Sequence, residues 1–186
     1  MKNIQVTEYC RHFMTLQVKP GDVCIDATVG NGHDTEYLAR LVGDEGKVIG
    51  FDIQKDALDS AALQLGNLLS RTELHLESHE NMDKYAEEGT VSLIVFNFGY
   101  LPGGDHSVAT RKETSIPAVK KGLQLLRKGG VMVLCVYSGG DSGFEERDAV
   151  LNFAAGLNPK DYLVMKTDYY NRRNNPPIPV VIVKLH

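Results

Sequence analysis

A glycine-rich turn flanked by acids is the first group of residues that could do chemistry. In "VCIDATVGNGHDTEYL", an apolar run ends at Asp26, Gly30 and Gly32 form a turn, and Asp34 and Thr35 open a helical pattern. Glycines let a backbone approach a ligand closely and adopt positive φ angles, and a helix N-terminus offers free N–H groups. The pattern predicts a ligand-binding loop between a strand and a helix.

The acid before these glycines bears on the kind of ligand. A dinucleotide site of the form G-x-G-x-x-G holds a pyrophosphate at the helix N-terminus. Here the third glycine position is Thr35, and Asp26 would repel an anion. S-adenosylmethionine suits these residues better, because it has an ammonium and a sulfonium and no phosphate. We therefore expect a methyl-donor site, and the alternatives are a nucleotide site or a purely structural turn.

A second acid ends the next predicted strand. Asp52 lies 20 residues after Gly32, where a carboxylate can accept both ribose hydroxyls of a nucleoside. Adenine could pack on the two residues that follow Asp52, and the residues after the third strand are candidates for further adenine contacts. The expected cofactor-binding residues are Asp26, Thr28, Gly30, Asn31, Gly32, Asp34, Thr35, Asp52, Ile53, Gln54, His79, Glu80, Asn81 and Asn97.

The stretch "NFGYLPGGDH" places four functional groups on a glycine-rich segment after the apolar run "VSLIVF". The Asn97 carbonyl could orient a substrate amine, and the Tyr100 ring could stack on a base or contact a cation. Asp105 is the first choice to accept an amine proton, with His106 assisting or lining the base. The alternatives are a tight turn in which Asn97 bonds its own backbone, a plain turn role for Asp105, and a surface histidine.

Strand-like and helix-like segments alternate along the chain, which is typical of a parallel sheet with helices on both faces. Only "NRRNNPP" separates the last two strands, so we expect them to form an antiparallel hairpin at the edge. The predicted fold is α/β and Rossmann-like, with a seven-stranded, mostly parallel sheet in a single domain over residues 1–186. A helix over about 4–17 opens it and packs on the core. Predicted strands cover 22–27, 47–53, 72–78, 91–96, 131–137, 162–170 and 178–185; predicted helices cover 34–42, 54–69, 116–130 and 141–157.

The start of the helix before the fifth strand has two solutions. Thr110 and Glu113 have the spacing of a capping box, but Pro117 would then lie inside the helix and remove a backbone hydrogen bond. A start at Thr114 or Ser115 places Pro117 in the first turn and costs less free energy. We expect the later start.

Composition narrows the class of protein. The chain has 186 residues, 42% hydrophobic content and a net charge of −4, which argues against wrapping duplex nucleic acid by charge alone. We find no apolar run of membrane-spanning length and no signal peptide, and we expect a cytoplasmic protein. Cys10, Cys24 and Cys135 have no metal spacing, so we expect buried, reduced thiols and no metal. The basic pairs at 120–121 and 127–128 are expected on a solvated helix face.

Five segments occur in order along nearly the whole chain: "DATVGNGHDT", "FDIQ", "NFGYLPGGDH", "VYSGGDSGFEE" and "NRRNNPP". Together they resemble the bacterial family labelled "putative rRNA methylases", which includes tRNA 5-aminomethyl-2-thiouridine methyltransferases. The resemblance implies a class I methyltransferase fold and methyl transfer to the aminomethyl nitrogen of a tRNA wobble uridine. The sequence departs from the family pattern at Gly140, where a histidine is usual, and at Arg172, where a glutamine is usual.

Several functions fit these residues. An RNA amine methyltransferase is favoured by basic residues near the predicted mouth of the site, and its candidate substrate-binding residues are Arg111, Tyr137, Asn171, Arg172 and Asn174. An rRNA base methyltransferase, or a methyltransferase for a small molecule or protein, is the second class, and the acidic net charge favours the latter. A nucleotide-dependent oxidoreductase is the third. A homodimer is a possible assembly.

Overall fold

Seven strands form one sheet in the computed structural model, which describes residues 5–99, 110–138, 143–173 and 175–186. The sheet has the order β3-β2-β1-β4-β5-β7-β6. Its strands are β1 Val23–Asp26, β2 Lys47–Asp52, β3 Thr72–Leu76, β4 Val91–Phe98, β5 Leu126–Val136, β6 Tyr162–Lys166 and β7 Ile178–Lys184. The helices are α1 Val6–Gln17, α2 His33–Val42, α3 Lys55–Leu65, α4 Lys112–Leu125 and α5 Gly143–Ala155, with two 3-10 helices, Gly66–Arg71 and His79–Lys84.

Strand direction confirms the predicted α/β fold. β1 pairs in parallel with β2 and β4, and the pairs β2–β3 and β4–β5 are also parallel. β7 is antiparallel to both β5 and β6, which is the expected terminal hairpin. Asn97 of β4 pairs with Cys135 of β5, which pairs with Pro179 of β7. The β6–β7 connection therefore emerges at the same edge of the sheet as the carboxyl ends of β1 and β4.

The two faces of the sheet bury separate cores, because successive residues of a strand point to opposite sides. In β4, Ile94 and Phe96 pack with α4 and α5, whereas Leu93 and Val95 pack with α1 and α2. Helices thus cover both faces, as predicted. Within the described residues, no helix combines the length and the apolar character needed to cross a membrane.

The glycine loop between β1 and α2 is held tightly against a neighbouring helix. Gly30 and Gly32 have φ angles of 51° and 81°, which glycine adopts without steric cost. A Cβ atom on Gly32 would lie 2.8 Å from both Cα and Cβ of Ala61 in α3. Gly32 is therefore required by its backbone conformation and by the close packing of α3 on the start of α2.

The predicted start of α4 at Thr114 or Ser115 is wrong. The helix begins at Lys112, and the carbonyl of Arg111 accepts hydrogen bonds from the amides of Thr114 and Ser115. Pro117 consequently lies inside the helix. The local cost of the proline is overridden by tertiary contact, because the Ser115 hydroxyl donates to the buried Glu146 carboxylate and is unavailable as a cap.

The capping box at Thr110 does not form either. The Thr110 hydroxyl also donates to Glu146, and the residue at the N-cap position is Arg111, which makes no side-chain capping bond.

Two predicted helix ends also differ from the structure. The helix predicted to reach residue 69 ends at Leu65, because Gly66 adopts a φ of 52° and a 3-10 turn follows. The helix predicted to reach residue 130 ends at Leu125, and Arg127 and Lys128 belong to β5. The register between β4 and β5 shifts between the pairs Val91–Leu126 and Leu93–Val131, so the residues at 127–130 form an irregularity in the strand.

The three cysteines are buried and free, as expected. The prediction that the basic pair at 127–128 lies on a solvated helix face is wrong, because both residues belong to β5 and only Lys128 is exposed. The Arg127 guanidinium lies 3.2 Å from an oxygen of Asp22 and donates to the Ser92 hydroxyl at 2.8 Å. The Asp22 side chain is mostly buried, so Arg127 neutralises a buried carboxylate at the amino end of β1.

We expect Arg127→Met to lower the free energy of unfolding by about 1 to 3 kcal/mol, because it leaves the Asp22 carboxylate without its cationic partner. Lys128→Met is the matched control, since this neighbouring side chain is exposed, and it should change stability by less than about 0.5 kcal/mol. Urea unfolding measures both. Equal stabilities for the two variants would contradict the assigned role of Arg127.

Candidate active site

The carboxyl ends of β1, β2 and β4 lie side by side and bring three predicted site residues together. Asp26 ends β1, Asp52 ends β2, and Asn97 is the penultimate residue of β4. The amide of Asn97 donates to the Thr28 hydroxyl at 2.7 Å, which ties the end of β4 to the glycine loop. The structure therefore collects the candidate residues at the point where the strand order reverses, the usual ligand site of such sheets.

Asp52 holds the glycine loop from the side of β2. One carboxylate oxygen accepts the amide of Gly30 at 2.9 Å, and the other accepts the amide of Gln54 at 2.9 Å. Each carboxylate oxygen has a second lone pair, so Asp52 can accept two further hydrogen bonds. The neighbouring Ile53 is exposed and provides an apolar surface beside this acceptor pair. Asn31, on the same loop, is partly exposed.

Asp26 is completely buried behind the glycine loop. Its carboxylate accepts the amide of Thr28 at 3.1 Å and the hydroxyl of Thr35 at 2.7 Å. Burial, together with the negative charge of Asp34, raises the pKa of Asp26 to about 7, against the opposing effect of the two hydrogen bonds. Thr35, at the position of the third glycine in a dinucleotide motif, is thus a hydrogen-bond partner of this acid.

Asp34 connects helix α1 to the end of β4. One of its oxygens accepts Arg11 Nε at 2.8 Å, and the other accepts Asn97 Nδ2 at 2.9 Å. The Arg11 guanidinium also lies over the ring of Tyr37, 5.1 Å from its centre. A charged, mostly buried carboxylate held by two donors in this way forms a rigid bridge.

This bridge fixes the orientation of the Asn97 amide. An ionised carboxylate only accepts hydrogen bonds, so Nδ2 of Asn97 faces Asp34 and Oδ1 is the atom that the amide can present to a donor. Asn97 lies inside β4, which extends two residues beyond the predicted strand end at 96. The alternative in which Asn97 bonds its own backbone in a tight turn is therefore wrong.

His79 lies under the same edge of the sheet, in the 3-10 helix after β3. It is buried, and its Nδ1 lies 3.1 Å from the carbonyl oxygen of Ala27. Burial lowers the pKa of His79, so the neutral ring donates through Nδ1 and carries a lone pair on Nε2. Among the described residues, Nε2 is buried and has no hydrogen-bond partner, which leaves an acceptor suited to a ligand donor.

The two residues after His79 contact the protein itself. The carbonyl of Glu80 accepts Lys121 Nζ at 2.7 Å, and the Asn81 side-chain amide donates to Glu77 at 2.7 Å. Lys121 also pairs with Asp83 at 2.9 Å, so it ties α4 to this 3-10 helix and is not simply a solvated side chain.

The four described residues of the predicted substrate-binding set lie near the same edge. Tyr137 follows β5, and its Cβ would lie 3.6 Å from a Cβ placed on Gly99. Arg111 is exposed at the start of α4, and Asn171 and Arg172 are exposed in the β6–β7 connection. Four predicted site residues and one predicted departure lie outside the described residues: Tyr100, Asp105, His106, Asn174 and Gly140.

Three residues whose contacts reach this edge are absent from the predicted site residues. Arg11 lies in the middle of an amphipathic helix, and Thr110 and Glu146 lie in segments that adjoin the candidate loops. Only the packing of helices against the sheet shows their contacts. Within the described residues, no group of three or more His, Cys, Asp or Glu side chains is arranged as a metal site.

The raised pKa of Asp26 predicts a pH dependence of stability. The native state keeps a proton that the unfolded state releases above about pH 4, so the unfolding free energy falls as pH rises from about 4 to 7. The shift from 3.8 to about 7 corresponds to about 4 kcal/mol over that range. Asp26→Asn should remove this part of the slope, whereas Asp56→Asn, on an exposed helix face, should keep it. Urea unfolding at several pH values measures the free energy of unfolding of each variant. Parallel curves of this free energy against pH for wild type and Asp26→Asn would exclude the proposed titration.

Solved structures with the same fold include two methyltransferases of similar length. A "putative rRNA-methylase" from Clostridium thermocellum is 44% identical, with a TM-score of 0.96 and complete coverage of both chains. A putative methyltransferase from Streptococcus mutans, solved in complex with SAH (S-adenosylhomocysteine), is 35% identical, with a TM-score of 0.87 and complete coverage of both chains. The sheet, the glycine loop and the site edge described above therefore belong to a class I methyltransferase fold.

A curated relative has a named RNA substrate. The chloroplastic "tRNA (mnm(5)s(2)U34)-methyltransferase" of Arabidopsis thaliana is 36% identical over 176 residues, which are 89% of this chain and 63% of that protein. This chain thus spans somewhat less than two thirds of that relative's length. A family model described as "Putative rRNA methylase" matches residues 48–183, from β2 to β7. The chain therefore belongs to the rRNA methylase family, a family of S-adenosylmethionine-dependent methyltransferases.

Proposed function

We propose that this chain transfers the methyl group of S-adenosylmethionine to an amine nitrogen of RNA, and that its substrate is the aminomethyl group of a tRNA wobble uridine. The observation that carries the proposal is the Asn97 amide, whose Oδ1 is set as an acceptor by the bond from Nδ2 to Asp34. An acceptor at this position, beside the glycine loop, suits an incoming group that has N–H protons.

The residues present fit S-adenosylmethionine. Asp52 retains two lone pairs for ribose hydroxyls, and the buried His79 Nε2 is an orphaned acceptor that suits the exocyclic amine of adenine. Asp34 and Asp52 place carboxylates beside the loop, which favours a cationic ligand and disfavours a pyrophosphate. When bound, this cofactor supplies an electrophilic methyl group.

In this reaction the protein does not need to form a covalent bond with the substrate. The nitrogen of the amine would need a free lone pair to take the methyl group and an acceptor for the proton that it then loses. Catalysis depends on holding the nitrogen neutral, aligned and out of water. Asn97 Oδ1 would accept one N–H and aim the lone pair at the methyl carbon. Asp105 remains our proposed proton acceptor, and Tyr100 or His106 would assist it or line the base.

Basic and aromatic side chains border the same edge and could receive RNA. Arg111 is exposed beside Thr110, which is bonded to Gly99. In the β6–β7 connection, Arg172 lies over the ring of Tyr169, and Tyr170 is fully exposed. Arginines bind phosphates, and an exposed aromatic ring can stack on an unpaired base.

The identity of the RNA rests on relatives. The family model names rRNA, and the Arabidopsis relative acts on the wobble uridine of tRNA by its name. A wobble nucleotide lies in a single-stranded loop, where a base can be turned out and read by a local patch. A local patch is compatible with a net charge of −4, whereas extensive charge-driven binding of a duplex is not.

We expect Asp52→Ala to raise the Kd for S-adenosylmethionine by at least about 10-fold, because two charge-assisted hydrogen bonds are lost and the glycine loop loses its anchor on β2. Asp56→Ala is the control, since this carboxylate is exposed on the next helix. Isothermal titration calorimetry measures both. An unchanged Kd for Asp52→Ala would overturn the proposed cofactor site.

Asn97→Ala should lower kcat about 100-fold while the Kd for S-adenosylmethionine changes less than threefold. The reason is that the variant removes the acceptor that aligns the amine and leaves Asp52 and the glycine loop in place. Asn152→Ala, which removes an exposed amide from α5, should keep the wild-type kcat. Steady-state methyl transfer with saturating RNA and S-adenosylmethionine measures kcat. A wild-type rate in Asn97→Ala would exclude its role.

The substrate is tested by nucleoside mass spectrometry of tRNA from a strain that lacks this gene. We expect loss of 5-methylaminomethyl-2-thiouridine and accumulation of the 5-aminomethyl precursor. The wild-type gene should reverse both changes, and the Asn97→Ala gene should reverse neither. Purified protein should methylate the precursor tRNA from the deletion strain. Unchanged wobble uridines, with a methyl group missing from rRNA instead, would favour the rRNA alternative.

A further inference from the structure

Glu146, in the first turn of α5, is a buried carboxylate to which the reaction above gives no role. It is 3% exposed, and its two oxygens accept the hydroxyls of Ser115 at 2.5 Å and Thr110 at 2.8 Å. Burial raises its pKa. A buried carboxylate is costly unless its oxygens are hydrogen-bonded, and an apolar side chain could fill the same space. The role of Glu146 is therefore to be found in its hydrogen bonds and not in the space that its side chain fills.

The contact with Thr110 continues to the end of β4. A hydroxyl has one proton, and the Thr110 hydroxyl donates it to the nearby Glu146 carboxylate, so its oxygen accepts the amide of Gly99 at 2.9 Å. The Thr110 amide in turn donates to the carbonyl of Gly99 at 3.0 Å. Both polar backbone groups of Gly99 are thus bonded to one residue, whose side chain is oriented by Glu146.

At Gly99 the chain leaves the sheet, because the backbone pairing of β4 with β5 ends at the residue before it. The pairing of β4 with β5 extends to Phe98 and Val136, and Gly99 then turns away with a φ of 148°. Asn97 lies two residues earlier and has its own bonds to Thr28 and Asp34 on the cofactor side. The strand end that carries the Asn97 amide is therefore held on one side by the glycine loop and on the other by Thr110.

We infer that Glu146 is a positioning residue for methyl transfer: through the Thr110 hydroxyl it fixes Gly99, and thereby the end of β4 that presents Asn97 to the amine. The inference rests on the proposed function of Asn97. The other oxygen of Glu146, bonded to Ser115, joins α5 to α4 and serves stability rather than catalysis.

The chain offers controls that separate these contacts. Thr110→Val keeps the shape of the side chain and removes the hydroxyl that joins Glu146 to Gly99. Ser115→Ala removes only the hydrogen bond by which Glu146 of α5 is joined to α4. Glu145→Gln is matched to Glu146→Gln, because Glu145 lies in the same turn and is exposed, and its bond goes to Lys112 at 2.8 Å.

The kinetic test measures kcat for methyl transfer in the steady state, with both RNA and S-adenosylmethionine saturating. We expect kcat to fall about 10-fold in Thr110→Val, and in the same direction in Glu146→Gln, with the Kd for S-adenosylmethionine unchanged. Ser115→Ala and Glu145→Gln should keep the wild-type kcat, although Ser115→Ala should unfold at a lower temperature. In an Asn97→Ala background, Thr110→Val should cause no further fall in kcat. A wild-type kcat in folded Thr110→Val, or losses that multiply in the double variant, would overturn the inference.

A second measurement needs no substrate. Amide hydrogen exchange followed by NMR should show the Gly99 amide exchanging at least about 10-fold faster in Thr110→Val and Glu146→Gln than in wild type or Glu145→Gln. If wild type methylates no RNA, the proposed function fails. The exchange of Gly99 still decides whether Glu146 holds this strand end, and unchanged exchange in both variants would refute that.

Discussion

The cost of burying neighbouring carboxylates at one edge of the sheet is the constraint around which this site is built. Asp26 ends β1, Asp52 ends β2, and Asp34 lies at the start of α2. Burial is the main cause that raises the pKa of Asp26, and the charges of Asp34 and, to a smaller extent, Asp52 raise it further. Each acid is stabilised differently. Asp34 has the cation Arg11, Asp52 accepts two backbone amides, and Asp26 titrates near neutrality. A ligand that carries positive charge would stabilise these carboxylates further.

The donors that stabilise these acids are also the groups that position the proposed amine site. Asn97 gives its side-chain amide to Asp34 and its backbone amide to Thr28, so the loop that would hold the cofactor and the strand that would receive the amine form one hydrogen-bonded unit. An alteration on either side should therefore be felt as a change in alignment, on which methyl transfer depends.

The sequence predicted the features that depend on local pattern. Alternating apolar segments gave the parallel sheet and its terminal hairpin, and acids and an amide at strand ends placed Asp26, Asp52 and Asn97 at one edge. What could not be predicted depends on contacts between distant helices. Arg11 reaches Asp34 from α1, and the Ser115 hydroxyl is drawn to Glu146, which moves the start of α4 ahead of a proline. Capping and proline rules describe isolated helices, and a buried carboxylate needing donors outweighs them.

The contact between Gly32 and Ala61 limits how this sequence can vary. Because an added Cβ at Gly32 would lie 2.8 Å from Ala61, the space between the loop and α3 is fully used, and a larger side chain at Ala61 would press on the loop as surely as a substitution within it. Ala61 is an ordinary helix residue by any motif search. It nevertheless shares the steric restriction of the glycine loop, so a redesign of α3 that replaces Ala61 would also change the conformation of that loop.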